Sequence, residues 1–320
     1  MKVIDSSADV ILQSPGIVGM LKQIERVGRL SYKSEDRTTE ESYIKFVEML
    51  KNRGHWSVFE HGTVYLTIPK YEPESMIFLE PDENKPCYNK FCDGGDVIYV
   101  TTNYRFILQN GLEEVMKKYW TDPAENHYRR ITTHLVCSRI VSHQLVRHRV
   151  FSFMQESQRY VNYSKERFGS GITFIIPQWA YESRQNVGTT VDPQTYEPRD
   201  YILSMTGEEL WSELCCWDRK VASRDRFWQA CEDEYMYGIS EEDGKLNPED
   251  ARGCLCNDTK TELCITGYLQ DWIAAPDEEK TPEKFGFFYL RSAQSAQRDI
   301  RVLSKSLEKQ FKELGLYELK

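Results

Sequence analysis

The sequence lacks the glycine-rich loops with which many proteins hold the phosphates of a nucleotide. No G-x-G-x-x-G follows a predicted strand, and no G-x-x-x-x-G-K-[ST] occurs in the 320 residues. These absences exclude a Rossmann dinucleotide site and a P-loop. If the chain binds a nucleotide, side chains must hold it. Arginine suits that task, because its planar guanidinium can donate two hydrogen bonds to one phosphate.

The chain also lacks a long apolar run and an excess of basic residues. No stretch of about 20 apolar residues resembles a membrane span, and the apolar core of a signal peptide is missing from the N-terminal MKVIDSSADVILQ. The net charge of -9 argues against a general nucleic-acid binder, which needs a basic face. We therefore expect a cytoplasmic protein with no membrane or nucleic-acid partner, in which any anion site is local.

No repeated C-x-x-C pair occurs among the nine cysteines, which we interpret as reduced thiols. A zinc site could use Cys87 with Cys92, or Cys254 with Cys256, but neither spacing matches a common zinc pattern. We therefore expect no bound metal.

The hydrophobic content of 40% is enough for a substantial core, and we predict one domain over residues 1–320 with insertions near 71–130 and 274–286. Periodicity predicts helices near Thr39–Arg53, 139–149, 207–235, Thr261–Ile273 and 300–314, and strands near Thr63–Ile68, 96–102, 133–137 and 171–177. Thr38 and Glu41 form a possible capping box for the first of these helices, and Gly54 is its expected end.

The most informative stretch runs from residue 147 to residue 160 and reads RHRVFSFMQESQRY. Its first three residues end a predicted helix, and Gln155, Ser157 and Arg159 alternate along predicted extended chain. Because alternate side chains of a strand share a face, these three should point into one pocket that can grip an anion. Taken alone, the same row could be the polar face of a half-buried strand.

This stretch resembles the signature of the flavin-dependent thymidylate synthases, RHRxxSxNExSxRY. Seven of its nine specified positions agree, whereas Met154 and Gln155 replace the Asn and Glu, and Glu156 is one residue out of register. Other segments resemble the family in the same order along the chain: Leu30-Ser31, HWSVFEH at 55–61, Gln144, Ala251-Arg252, and YLR ending at Arg291.

The resemblance implies an α+β fold with a central, mainly antiparallel sheet flanked by helices, assembled as a homotetramer with sites built across subunits. It implies the conversion of dUMP to dTMP, with methylenetetrahydrofolate as carbon donor and NADPH-reduced FAD as hydride source. FAD is thus the expected cofactor, and dUMP, methylenetetrahydrofolate and NADPH are the expected substrates.

The resemblance also assigns residues to roles. The implied dUMP-binding residues are Gln144, Arg147, Gln155, Ser157, Arg159, Arg252 and Arg291. The implied FAD-binding residues are Ser31, His55, Ser57, Glu60, Arg147, His148, Arg149 and Gln155. Arg291 and Ser157 are the expected catalytic residues: Arg291 would stabilise negative charge on the pyrimidine, and Ser157 would lie beside the nucleotide. We disfavour Ser157 as a covalent nucleophile, because the sequence offers no local base for it.

Two other functions remain open from the residues alone. A phosphate- or RNA-binding module could use the basic segment 147–167, and its affinity would depend on salt. A zinc-dependent nucleotide hydrolase or deaminase is weakened by the absence of H-x-E and P-C-x-x-C patterns.

Overall fold

The computed structural model describes residues 1–79, 89–159, 161–165, 171–192, 194–195, 199–240, 242, 245–274 and 286–317. Its strands are β1 (Lys2–Ile4), β2 (Ser7–Ile11), β3 (Thr63–Pro69), β4 (Lys90–Asp93), β5 (Val97–Asn103), β6 (Arg130–Ser138), β7 (Ser152–Gln155), β8 (Thr173–Ile175) and β9 (Lys260–Tyr268). Its helices are α1 (Gly16–Tyr32), α2 (Ser42–Asn52), α3 (Met76–Leu79), α4 (Tyr104–Gln109), α5 (Glu113–Tyr119), α6 (Arg139–Leu145), α7 (Gln178–Gly188), α8 (Gly207–Trp217), α9 (Arg219–Ile239), α10 (Pro248–Ala251), α11 (Leu269–Ile273), α12 (Phe287–Arg291) and α13 (Arg298–Glu313).

The described strands form three sheets. Four antiparallel strands lie in the order β2-β6-β9-β7, three more antiparallel strands lie in the order β3-β5-β4, and β1 pairs with β8 in parallel. The α+β prediction with antiparallel sheets is therefore confirmed. The strands divide among three sheets, and the four-stranded antiparallel sheet lies between two hydrophobic clusters, since Met154 and Cys264 belong to the first and Leu263 and Ile265 to the second.

The first hydrophobic cluster joins α1 and α2 to the three-stranded sheet. Met20, Ile24 and Val27 recur on one face of α1 and are fully buried, as helical periodicity requires of a core-facing stripe. Met154 of β7 and Cys264 of β9 belong to the same cluster. The C-terminal end of α1 is thereby held beside the end of β7.

The second cluster packs α11, α12 and α13 on the four-stranded sheet. The α13 side chains Ile300, Leu303, Leu307 and Phe311 are buried, which confirms the predicted apolar face of the last helix. Gln310 of α13 also bonds the backbone of β2 twice, at 2.9 Å to the Val10 N–H and at 2.7 Å to the Ala8 carbonyl. This packing holds α12 next to the chain that follows α6.

The third cluster surrounds β8 and the helices α8 and α9. Phe174, Trp211 and Trp228 stack there, with ring centroids 4.9 and 4.3 Å apart. The region predicted as one helix over 207–235 is two helices, since the Asp218 side chain accepts a hydrogen bond from the Lys220 N–H and starts α9.

The segment predicted as a helix over Thr261–Ile273 is wrong for most of its length. Residues 260–268 form β9, the inner strand between β6 and β7, and only Leu269–Ile273 is helical. Leu263, Cys264 and Ile265 are consecutive and buried, because an inner strand is covered on both faces and loses the polar alternation that marks an exposed sheet.

Other predictions differ in detail. The helix near Thr39–Arg53 and its end at Gly54 (φ +67°) are confirmed, but the capping box is wrong, because Glu41 is the N-cap and makes no side-chain cap. The strand near Thr63 is confirmed and is mostly buried. Sequence patterns did not predict β1, β2 or α1. Residues 275–285 of the predicted insertion lie outside the described residues.

None of the helices in the described ranges has the length and apolar composition needed to cross a membrane.

Candidate active site

A cavity of about 410 Å³ opens where the ends of α1, α2 and β7 meet. Three predicted flavin residues, Ser31, His55 and Ser57, line it together with Ser157 of the predicted nucleotide segment. The cavity thus brings together residues that are more than one hundred positions apart in sequence.

Local geometry fixes the first wall of this cavity. Ser31 occupies the last turn of α1, and its hydroxyl donates to the Gly28 carbonyl at 2.8 Å. The next residue, Tyr32, forms a hydrogen bond to His55 Nδ1, and the two rings stack with centroids 5.9 Å apart. Gly54 has a φ of +67°, which turns the chain at the end of α2 and delivers His55 to this position.

Arg105 completes the polar lining and was not predicted from the sequence. Its guanidinium lines the cavity and forms an ion pair with Glu60, a predicted flavin residue. The Glu60 backbone carbonyl also accepts a hydrogen bond from Arg130 at 3.0 Å. Arg105 lies in α4, within the region interpreted as an insertion, where no motif distinguishes it.

The predicted nucleotide arginines Arg159 and Arg252 meet at one residue of α10. Arg159 Nε lies 2.7 Å from a carboxylate oxygen of Glu249, and Arg252 Nε donates to the Glu249 backbone carbonyl at 3.0 Å. Ser157 is held near them, because its Oγ accepts a hydrogen bond from the Arg159 N–H at 3.3 Å. Two predicted dUMP arginines from distant segments therefore meet at Glu249, and Ser157 adjoins one of them.

The predicted catalytic Arg291 lies at the end of α12 against the chain that follows α6. Its Nε donates to His148 Nε2 at 2.7 Å, and one terminal nitrogen lies 3.4 Å from the Gln144 carbonyl. Burial, with the charge of Arg291, lowers the pKa of His148 to about 4. The imidazole is therefore neutral near pH 7 and can accept this hydrogen bond.

A second guanidinium lies close to Arg291. Burial and the charge of Arg147 both lower the pKa of Arg291, although an arginine remains charged near neutrality. Two neighbouring cations that repel each other, one exposed and one half-buried, favour an anion between or beside them. This part of the chain therefore suits a phosphate or a developing negative charge.

Phe151 anchors the turn that carries these cations. Its ring packs 4.6 Å from that of Trp272 and lies directly over Gly267 of β9. A Cβ at Gly267 would lie 2.1 Å from the Phe151 ring, so only glycine allows this approach. Residues 147–149, called the basic turn below, are thus fixed by core packing rather than by their own charges.

The sequence profile of the family described as thymidylate synthase complementing protein matches residues 108–314. The chain belongs to this family. The match includes the basic turn, α10 and α12, and it begins after the α1 and α2 segments that line the cavity.

Individual relatives in this family match shorter regions. A flavin-dependent thymidylate synthase from Geobacter sulfurreducens is 29% identical over 167 residues, which are 52% of this chain and 49% of that protein. One from Pyrococcus abyssi is 45% identical over 49 residues, which are 15% of this chain and 19% of that protein. The chain thus spans half or less of the length of these curated relatives.

A solved structure, a UMP/dUMP methylase from Streptomyces cacaoi bound with 5-Br dUMP, covers 99% of this chain and 95% of its own, with 16% identity and a TM-score of 0.39.

One prediction about the family signature is wrong. The strand β7 ends at Gln155, and the following residues leave the sheet, so Gln155, Ser157 and Arg159 do not share one strand face. The Gln155 amide donates to the hydroxyls of Ser142 and Thr261 at 3.0 and 3.1 Å. Ser157 instead lines the cavity, and Arg159 reaches α10. The alternation rule failed because it holds only while the chain stays in the sheet.

His61, at the end of the HWSVFEH segment, has a structural role. It is fully buried, and its Nδ1 lies 2.7 Å from the Thr266 hydroxyl of β9. Burial, with the nearby charge of Arg130, lowers its pKa to about 3. His61 therefore fixes this segment against the sheet in its neutral form.

We expect this histidine to make the fold sensitive to acid. The unfolded chain binds the proton near pH 6.5 and the folded chain only near pH 3, so the stability contribution is complete above pH 6.5 and is lost as the pH falls toward 3. The free energy of unfolding, measured in urea, should fall between pH 7 and pH 5 in the parent. In His61→Asn this fall should be smaller by roughly 2 kcal/mol, because the titrating group is gone. The exposed His143→Asn is the matched control and should keep the parent's pH dependence.

No group of three or more His, Cys, Asp or Glu side chains able to hold a metal occurs within the described ranges. Cys87, one of the predicted alternatives, lies outside those ranges.

Proposed function

We propose that this chain is a flavin-dependent thymidylate synthase, which converts dUMP to dTMP with methylenetetrahydrofolate as carbon donor. NADPH-reduced FAD would supply the hydride when bound. One observation carries the proposal: Ser157 of the nucleotide segment lines the same cavity as Ser31, His55 and Ser57 of the flavin segment. A nucleotide and a flavin must meet in such a reaction, and the cavity joins the two segments assigned to them.

The donor groups around the cavity fit a flavin dinucleotide. The Ser57 hydroxyl and the guanidinium of Arg105 are suitable donors to a diphosphate, and Ser31 lines the same wall of the cavity. The Trp56 ring, 37% exposed at the same cavity, offers an aromatic surface. We assign Ser31, His55 and Ser57 to FAD, with Glu60 acting through its ion pair to Arg105.

A second group of flavin residues lies on the basic turn. We assign Arg147, His148 and Arg149 to FAD, with Arg147 and Gln155 also reaching dUMP. Arg147 and Arg149 are exposed, and none of the three lines the cavity of the same chain. This separation supports a site that takes one group from each of two subunits, as in a homotetramer.

We expect complementation between two inactive variants to test that arrangement. His55→Ala damages the cavity and Arg149→Ala damages the basic turn, so each homotetramer should lose flavin and activity. After unfolding and refolding together, some sites would combine the intact groups of both chains, and dTMP formation should return. A mixture of His55→Ala with Ser57→Ala is the control, since both changes damage the same group. If the first mixture stays as inactive as the control, each site is built from one chain.

The nucleotide would bind through the arginines at α10. Arg159 holds the Glu249 carboxylate and Arg252 holds the Glu249 backbone carbonyl, and a phosphate can replace the carboxylate on Arg159 beside Arg252. Gln144 and Ser157 would complete the dUMP site. Because Arg159 and Glu249 are about half exposed, their ion pair is weak and exchange with a phosphate costs little.

Arg291 would activate the uracil ring. As the pyrimidine loses its N3 proton, negative charge develops on the ring and electron density rises at carbon 5, and a fixed cation stabilises that charge. His148 accepts the Arg291 Nε proton in a hydrogen bond and orients the guanidinium without adding charge. One terminal nitrogen donates to the Gln144 carbonyl, and the other would donate to the substrate.

Ser157 would orient the nucleotide rather than attack it. Its hydroxyl accepts a hydrogen bond from the Arg159 N–H, a group that cannot remove the serine proton. We therefore expect Ser157→Ala to keep kcat within about tenfold of the parent, since one neutral hydrogen bond contributes roughly 1 kcal/mol. Rates of dTMP formation at saturating dUMP test this. Complete loss with normal folding and dUMP binding would restore the nucleophile hypothesis.

We also propose that the enzyme works in the cytoplasm, because the eight cysteines in the described ranges are free thiols, as in reducing compartments.

The absorption spectrum of the purified protein tests the proposed function directly. We expect a yellow protein whose oxidised-flavin bands bleach with NADPH in the presence of dUMP, and dTMP formation when methylenetetrahydrofolate is added. A colourless protein that binds RNA with strong salt dependence would contradict the proposal.

A further inference from the structure

Four charged side chains form a closed, alternating ring beside the proposed site. Lys260 Nζ lies 3.0 Å from Glu156 and also pairs with Glu262. Lys33 pairs with Glu262 and lies 3.8 Å from Glu156. Each lysine therefore contacts both glutamates. The four side chains are between 2% and 19% exposed, so the ring is largely shielded from water.

The ring connects three segments that the proposed reaction must hold in register. Lys33 directly follows Ser31 and Tyr32, which line the flavin cavity, and Glu156 directly precedes Ser157. The other two members, Lys260 and Glu262, stand on β9. The ring thus ties the end of α1 and the start of the nucleotide segment to one inner strand.

The backbone at both tied ends needs support. Lys33 has a φ of +48°, a conformation that non-glycine residues rarely adopt and keep only when their surroundings impose it. Glu156 makes the last backbone hydrogen bond of this stretch to β9, from its N–H to the Glu262 carbonyl at 2.8 Å. Beyond that bond the chain turns away from the sheet, so the Glu156 side chain is the final tie before Ser157.

The surroundings of the ring favour a geometric role over simple packing. A cavity of about 170 Å³ borders Lys33, Glu156 and Lys260, so apolar packing does not fix these side chains on that side. Buried ion pairs add little net stability, because desolvation offsets their attraction. Burial raises the pKa of Glu262, but its hydrogen bond to His134 and the charges of Lys260 and Lys33 outweigh this and hold the pKa well below its usual range.

We infer that Lys33, Glu156 and Lys260 are positioning residues that set the nucleotide segment at the correct distance from the flavin cavity. The inference rests on the proposed function. It also gives a role to the acidic residue that stands one position out of register in the family signature. The Glu156 carboxylate pairs with the two lysines of the ring, and it acts on Ser157 and Arg159 through the backbone that joins them.

Glu156→Gln is the principal test, since it keeps the side-chain shape and removes one charge of the ring. We expect KM and Kd for dUMP to rise about tenfold, because small displacements of binding groups are costly, while kcat at saturating dUMP falls less than threefold. Bound FAD should be retained, and its absorption change on adding dUMP should need correspondingly more dUMP. Glu156→Asp keeps the charge and should restore part of the affinity.

Two further variants keep the test decisive. Glu156→Gln leaves two buried lysines that share one carboxylate, so Lys33→Met combined with Glu156→Gln restores neutrality and should fold even if the single variant does not. Glu232→Gln is the matched control: Glu232 is also buried, it pairs with the N-terminal amine at 2.6 Å beside the third hydrophobic cluster, and it is not a member of the ring. It should lower Tm without changing KM for dUMP.

The outcomes separate this inference from the proposed function. Higher KM for dUMP in the ring variants, with normal KM in Glu232→Gln, supports the inference. If the parent is active and the ring variants show only a lower Tm, with KM and Kd for dUMP within twofold of the parent, the ring is merely structural. That result overturns the inference. A folded, flavin-loaded parent that forms no dTMP overturns the proposed function, and the inference with it.

Discussion

Arg291→Lys should lower kcat for dTMP formation roughly 100-fold, the usual loss when one fixed donor to a developing charge is removed. Lysine keeps the charge but lacks the planar fork, so it cannot donate to His148 and to the substrate in the same geometry. In the structure one nitrogen of Arg291 is committed to His148 at 2.7 Å, and only a guanidinium has others to spare. FAD content and Kd for dUMP should change less than tenfold.

Single-turnover measurements with pre-reduced enzyme test this prediction, because they report the chemical step without product release. Arg226→Lys, at an exposed position of α9, is the control for a general loss of arginine and should leave kcat unchanged. Turnover of Arg291→Lys equal to that of the parent would remove Arg291 from the mechanism. A parallel loss of bound FAD would instead assign Arg291 to cofactor binding.

Surface helices and short motifs were the parts of this chain most accessible to sequence reasoning. The apolar stripe of α13 and the position of α2 follow from helical periodicity, which survives wherever one face meets water. The inner strand β9 has no such face, and its buried run resembles a helix as much as a strand. Burial on both sides therefore removed the signal that distinguishes the two.

In the site, too, local motifs could be predicted from the sequence, whereas contacts that depend on tertiary packing could not. Family order along the chain identified Ser31, His55, Ser57 and Ser157, and the structure brings these four to one cavity. Arg105 was missed, since its approach to Glu60 depends on how the three-stranded sheet packs against α1 and α2. The direction of the Gln155 side chain could not be predicted from the sequence either, because it depends on the residue at which the chain leaves the sheet after β7.

Arg159 and Arg252 meet at Glu249, where we propose that the dUMP phosphate binds. Arg252→Ala should raise Kd and KM for dUMP by roughly 10-fold to 100-fold, because a charge-assisted hydrogen bond contributes about 1.5 to 3 kcal/mol. The effect on kcat at saturating dUMP should stay within about threefold, since a phosphate contact far from the reacting carbon binds ground state and transition state alike. Calorimetric titration of dUMP, with and without bound FAD, measures the affinity.

Deoxyuridine separates loss of phosphate binding from a general disturbance of α10. It lacks the phosphate, so the parent and Arg252→Ala should bind it with equal, weak affinity, whereas a disturbed pocket would weaken both ligands in the variant. Added salt should weaken dUMP binding more in the parent than in Arg252→Ala, because one phosphate contact is already absent there. If the variant loses affinity for deoxyuridine and dUMP in the same ratio, Arg252 shapes the pocket instead of binding the phosphate. The position of its Nε against the Glu249 backbone would then be its structural contribution.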